Sequence, residues 1–215
     1  EKDAQELHAL MVEDGFNETL KAWDWQFYAE KRRVIKHSLN EAEIKPYFQL
    51  ENIIQAAFHC ASRLFNLNFQ SVKLEMYHPD ARAWEVSKNG VHLALFVGDY
   101  FARSSKRSGA WCSSLRGQSK FDGTEHPIAV NVCNFTKPKP GKPCLLSFDD
   151  ASTLFHEFGH ALHVMLSNVT YPSVSCTSVA RDFVELPSQL FEHWLEVPAI
   201  LNKFAIHSET QEPMP

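Results

Sequence analysis

The sequence predicts an α+β fold: mainly helical, with a small antiparallel β-meander set between two helical regions. Three observations carry this reading. Apolar residues recur at helical spacing over residues 50–67. Two strand-like runs meet at Asn89-Gly90. Helical spacing returns after Ser147 and holds to Met165. The expected organisation is one unit over 1–215, helical over 1–77, hairpin, meander and loop over 78–145, and helical again over 146–215.

In order along the chain, "EKDAQELHALMVEDG" reads as a short helix ending at Asp14-Gly15. "TLKAWDWQFYAEKRRVIKHSL" reads as a second helix. Its Trp23, Trp25, Phe27 and Tyr28 are expected in a core rather than on a stacking platform. Pro46 breaks the pattern. "LENIIQAAFHCASRLFNL" then puts Ile53, Ile54, Ala57, Phe58, Ala61, Leu64 and Phe65 on one helical face. The character changes near His78-Pro79. "RAWEVSK" and "VHLALFVGDYF" are rich in β-branched and aromatic residues, and Asn-Gly between such runs signals a tight hairpin. "PIAVNVCNF" reads as a further strand and "TKPKPGKP" as a connector. "SFDD" resembles a capping box with acidic residues in the first turn of a helix. A last helical region runs from about Val179 to Phe204, interrupted at Pro187 and Pro198.

The chain has 215 residues, 44% hydrophobic and 22% charged, which is ordinary for a globular protein. A net charge of -5 leaves no basic excess for nucleic acid. No run reaches the roughly 18 apolar residues of a membrane span. The five cysteines, Cys60, Cys112, Cys133, Cys144 and Cys176, are odd in number and lack a CxxC pair. Reduced thiols are the expectation, which suits a cytoplasmic protein. The first residue is Glu1 and the last segment has no evident domain end, so a piece of a longer protein is expected.

"TLFHEFGHALH" carries the chemistry. His156 and His160 are four apart, so a helix presents them on one face, one turn apart. Two neutral imidazoles at that spacing can share one zinc ion, with Glu157 placed to act as a general base. A catalytic zinc also needs a third protein ligand and an open position. His163 and Leu166 stand where a longer histidine motif would place a glycine and a third histidine, so that solution is excluded. His163 itself reads as structural. A carboxylate from a second helix remains, and "RDFVELPSQLFEHW" offers Asp182, Glu185, Glu192 and Glu196. Spacing alone leaves Glu185 and Glu192 open.

"FHEFGHALH", followed 25 positions after His160 by the glutamate of "RDFVELPSQ", resembles the thimet oligopeptidase family of zinc metallopeptidases. "WDWQFYAEK", "KPYFQLENI", "YHPDARAWEV", "GDYFARSSKRSGAW" and "NVCNFTKPKPGKP" resemble its bacterial peptidyl-dipeptidase branch. The resemblance implies His156, His160 and Glu185 as ligands of one zinc ion and Glu157 as catalytic base. It also implies a monomeric, mostly helical, two-lobed enzyme that acts on oligopeptides and releases C-terminal dipeptides. An endo-acting oligopeptidase and a zinc-binding piece inactive by itself are the alternatives. Family members are longer and hold substrate with a tyrosine- and histidine-bearing loop that Tyr28, Tyr47, Tyr77, Tyr100 and Tyr171 do not match.

Four further expectations follow. "VHLALFVGDYF" is a candidate wall for an extended peptide, through an exposed strand edge. "RSSKR" at 103–107 is a solvated loop or a carboxylate-binding one. Asp150 and Asp182 are candidates to orient the histidines. Asn134, Arg181 and Gln189 have no assigned role.

Overall fold

The computed structural model describes residues 2–37 and 41–215. They form two compact units, Glu1–Ile44 and Lys45–Pro215. The first holds α1 (Lys2–Glu13), α2 (Trp25–His37) and the short α3 (Glu41–Ile44). α1 and α2 bury Leu7, Met11 and Tyr28 between them. Arg32 on α2 reaches Asp3 at 2.7 Å and Glu6 at 3.0 Å. The second helix starts later than its sequence suggests, because Asp24 Oδ2 accepts from the Lys21 N–H and holds a turn there. Its expected end at Ser38-Leu39 lies outside the described residues. The aromatic residues expected in a core divide: Tyr28 is buried, whereas Trp23 and Phe27 are 79% and 64% exposed.

The second unit opens with a 3-10 turn at Lys45–Tyr47 and then α4 (Leu50–Phe65). Asn66, in the left-handed conformation at φ 57, ends α4 and turns the chain directly into a strand, β1 (Leu67–Val72). That strand lies inside the stretch expected to be helical. β2 (Arg82–Lys88) and β3 (Val91–Phe101) form the expected hairpin. Asn89 and Gly90 both take positive φ, as its tight turn requires. β4 (Trp111–Arg116) and β5 (Ile128–Phe135) complete five strands in the order β1-β2-β3-β5-β4.

The sheet is therefore mixed, not the expected antiparallel meander. β5 inserts between β3 and β4, parallel to β3 and antiparallel to β4. Two chain reversals between β3 and β5 impose the parallel pairing. A second correction concerns "VHLALFVGDYF": it is the central strand, paired on both sides, and has no free edge to offer. The edges belong to β1 and β4.

One face of the sheet packs on α4 and on α5 (Phe148–Met165) through aromatic rings. Phe58 stacks on Phe69 at 4.2 Å, and Phe96 meets Phe158 edge-on at 5.1 Å. The opposite face buries Ala83, Val97, Val130 and Val132. α5 begins at a full capping box: Ser147 Oγ accepts from the Asp150 N–H, and Asp150 Oδ2 accepts from the Ser147 N–H, both at 3.0 Å. The last helical region resolves into α6 (Leu186–Glu192) and α7 (Pro198–Phe204), each with a proline in its first turn. Among the described residues, no helix is long and apolar enough to cross a membrane.

Candidate metal centre

α5 presents His156 and His160 on one face, their ring centroids 4.9 Å apart. Its buried side carries Leu154, Phe155, Phe158, Ala161 and Leu162, so the core orients the histidine stripe outward. α6 lies against α5 at unusually short range. A Cβ on Gly159 would stand 2.6 Å from Ser188 Cα and 3.0 Å from the Pro187 carbonyl. The glycine inside the histidine motif therefore sets how closely α6 can approach.

That approach delivers two carboxylates. Glu185, at the N-terminal cap of α6, places Oε2 3.2 Å from His156 Nε2 and 3.1 Å from His160 Nε2. Glu192 is seven residues on and shares the same helical face. Its Oε1 lies 2.5 Å from His156 Nδ1. One imidazole is thus gripped at both nitrogens. Ser188 Oγ lies 2.8 Å from the Glu185 carbonyl and 3.1 Å from Glu185 Oε2, its single hydrogen shared between the two oxygens, which tethers that side chain.

Two imidazole nitrogens and a carboxylate oxygen, all within 4.8 Å of one another, can hold a divalent cation. Tetrahedral coordination with bonds of about 2.0–2.1 Å puts ligand atoms about 3.3 Å apart. The contacts of 3.1–3.2 Å match that edge. Protonation suits the donor set. Burial pushes the His160 imidazole down, towards the neutral form a metal requires. Burial alone would raise the Glu185 carboxyl, but Ser188, His160 and His156 hold it below its ordinary value and therefore ionised. Glu157, 7% exposed, sits beside the cluster. Burial pushes its carboxyl up, His156 opposes the shift, and Glu185 adds to it.

The residues singled out in the sequence divide as follows. His156, His160 and Glu185 come together, with Glu157 adjacent. Glu192 takes the outer nitrogen of His156, a position that Asp150 and Asp182 were candidates for. Asp150 serves the capping box, and Asp182 is exposed. His163 lies two turns along α5 from His156, beside Phe183, and stands outside the cluster. "RSSKR" is solvated only in part: Ser104, Ser105 and Arg107 are exposed, but the Lys106 side chain is buried and Arg103 forms a bidentate pair with Asp99. β4 escaped the sequence reading. It packs against α5, the helix that carries the histidines, and burial, with Glu157 adding to it, pushes up the thiol of its Cys112.

A mixed α/β core, a capped helix bearing His-Glu-x-x-His and a carboxylate from the next helix define a class: proteins in which two neighbouring helices bring together side chains that can hold a metal ion. The chain belongs to peptidase family M3, whose family model matches residues 1–215. Among curated relatives, a dipeptidyl carboxypeptidase of Salmonella typhimurium is 46% identical over 200 residues, covering 92% of this chain and 29% of that protein. A dipeptidyl carboxypeptidase of Escherichia coli is 47% identical over 196 residues, covering 90% of the chain and 29% of the relative. Oligopeptidase A of Escherichia coli is 37% identical over 220 residues, covering all of this chain and 32% of the relative. The chain thus spans less than a third of the length of these relatives.

Proposed function

We propose that this chain carries the zinc centre of a peptidase that hydrolyses short oligopeptides and releases C-terminal dipeptides. The observation that carries the reading is the convergence of His156 Nε2, His160 Nε2 and Glu185 Oε2 beside the buried carboxyl of Glu157. His156, His160 and Glu185 hold the metal. Zinc, when bound, supplies Lewis acidity that acidifies a water and polarises a peptide carbonyl. Glu157 takes the proton of the attacking water on a carboxylate oxygen and returns it to the departing amine. Its raised affinity for a proton suits both halves of that transfer. Glu192 accepts from His156 Nδ1–H, which leaves Nε2 with its lone pair towards the metal.

The free edge of β4 supplies main-chain donors and acceptors to an extended peptide without regard to its side chains. This role passes to β4 from the central strand, which lacks an edge. Exo action is favoured over endo action by the greater likeness to the two dipeptidyl carboxypeptidases, 46% and 47%, than to oligopeptidase A, 37%.

The test loads the protein with zinc, measures metal per chain, and offers peptides with free and amidated C-termini. One zinc per chain and release of dipeptides only from free C-termini is the expected result. Cleavage of both peptides would favour the endo reading. Because the chain spans under a third of its relatives, the assay is run on the 215-residue chain and on any longer polypeptide containing it. Stoichiometric zinc without turnover in the short chain alone would make it a metal-binding piece.

A further inference from the structure

We propose that the segment between β3 and β4, residues 102–110, is a clamp that sets the position of the β4 edge, with Lys106 and Asn134 as positioning residues for a peptide substrate. The proposal rests on the peptidase reading above.

β4 is a strand with little to hold it in place. Ser113, Ser114, Leu115 and Arg116 are exposed, and among the described residues only β5 pairs with it. Polar, exposed strands specify register weakly, and a slip of one residue exchanges the faces of every side chain. Yet register here matters. Cys112 opposes Asn131 on β5, on the sheet face opposite Trp111, and β4 packs against α5. A slip would carry each main-chain group of the edge about 3.3 Å along the strand relative to α5.

The constraint comes from the preceding segment. Lys106 is 3% exposed at its side chain. Its ammonium donates to the carbonyls of Asp99 at 2.9 Å, Phe101 at 2.6 Å and Cys133 at 2.7 Å. It also lies 2.9 Å from Asp99 Oδ1. An ammonium has three hydrogens, so this one is fully used. The acceptors lie where the β3–β5 ladder loses register, between Asp99 and Phe101. Lys106 thus satisfies carbonyls near that slip and ties the segment to both strands at once. Arg103 adds a bidentate pair to Asp99 at 2.8 and 2.7 Å, and Tyr77 donates to the same carboxylate at 2.9 Å.

Asn134, on β5, fastens the other end of the segment. Its Nδ2 donates to the Arg107 carbonyl at 2.6 Å and the Gly109 carbonyl at 2.7 Å. Gly109 takes φ 87, which a side chain would resist. β4 starts two residues later, at Trp111 opposite Val132. The strand therefore enters the sheet from a point already pinned to β5. Its far end is held separately, where Gln118 exchanges hydrogen bonds with the Val169 N–H and carbonyl.

The experiment compares Asn134→Ala and Lys106→Met with the unmodified zinc-loaded protein. The readouts are amide hydrogen exchange over 111–116, zinc per chain, and KM and kcat for an extended peptide. Exchange over 111–116 should rise at least about tenfold while α5 and the zinc content stay unchanged. KM should rise roughly tenfold with kcat changed less than about threefold, since binding before the chemical step is what is lost. Asn134 is only half-buried, so its variant carries the test if Lys106→Met does not fold. Unchanged exchange in Asn134→Ala overturns the clamp. Faster exchange with unchanged KM overturns its role in positioning substrate. Absence of peptidase activity in the unmodified protein would overturn the peptidase reading, while the exchange result would still decide the clamp.

Discussion

Two charged clusters lie on opposite faces of the same sheet, and they behave differently. Asp99, Arg103 and Lys106 sit on the Val97–Val132 face. There the Asp99 carboxylate receives hydrogen bonds from Arg103 and Tyr77 and pairs with Lys106. Donors and acceptors match within the protein, as a structural ion cluster requires. On the α5 face, His156, His160 and Glu185 bring three electron-pair donors to one point. Donors of the same kind gathered without enough hydrogens to share are what a cation needs. A completed balance of donors and acceptors marks scaffold, and an acceptor excess aimed inward marks a site.

The largest effect that could break this contrast is at Glu157. Glu157→Gln should lower kcat by about 10²–10⁴-fold with zinc still bound, because it removes a proton acceptor and no ligand. Retained activity, measured with metal content in the same sample, would remove Glu157 as the base. Glu185→Ala should weaken zinc binding by more than about 100-fold, beyond what loss of an outer partner produces. Chelator competition measures it, and unchanged affinity would return Glu192 to consideration as the ligand. Glu192→Gln should weaken zinc by about 10–100-fold, since His156 keeps Nε2 but loses its orienting carboxylate. An equal loss in the two variants would erase the distinction between holding the metal and holding the histidine.

Gly159→Ala should destabilise the fold by about 1–3 kcal/mol, read by denaturant unfolding, and weaken zinc binding as α6 is pushed away. Stability lost without any change in zinc affinity would separate the helix contact from the site. The smallest effect sharpens the other cluster. Burial alone would raise the Asp99 carboxyl, but Arg103, Lys106 and Tyr77 hold it down at about 2. A folded value below the unfolded one of about 3.9 means its stabilisation is present above pH ~4. It is lost as pH falls through about 2. Carboxyl NMR of Asp99 reads this directly; titration near 4 would show that the cluster is not saturated.

Much of this architecture was legible because its signals are local. Asn89-Gly90 dictates its hairpin, Ser147 with Asp150 dictates the start of α5, and the histidine spacing dictates a shared face. β4 was not legible, since "WCSSLR" neither alternates nor buries much, and its register comes from Lys106 and Asn134. β3 and β4 are successive yet do not pair, because β5 lies between them and parallel to β3, against the tendency of successive strands to be neighbours. At the site, spacing alone leaves Glu185 and Glu192 open for a physical reason. Seven residues apart on one face, both meet His156, at different nitrogens. Exposure of Trp23 and Phe27 depends on what a helix packs against, which periodicity does not contain.

Gly159 occupies one of the two positions that a His-Glu-x-x-His pattern leaves open, and Phe158 occupies the other. Neither is open in this molecule. Phe158 fills the aromatic core under the helix, and Gly159 receives the backbone of α6. The pattern is therefore not portable as three residues. A protein engineer grafting His156, Glu157 and His160 onto another helix would carry the imidazoles and the base but leave behind the bare backbone surface that admits a second helix. The graft would need its own glycine, and a partner helix seated against it, before any distant carboxylate could close on the metal.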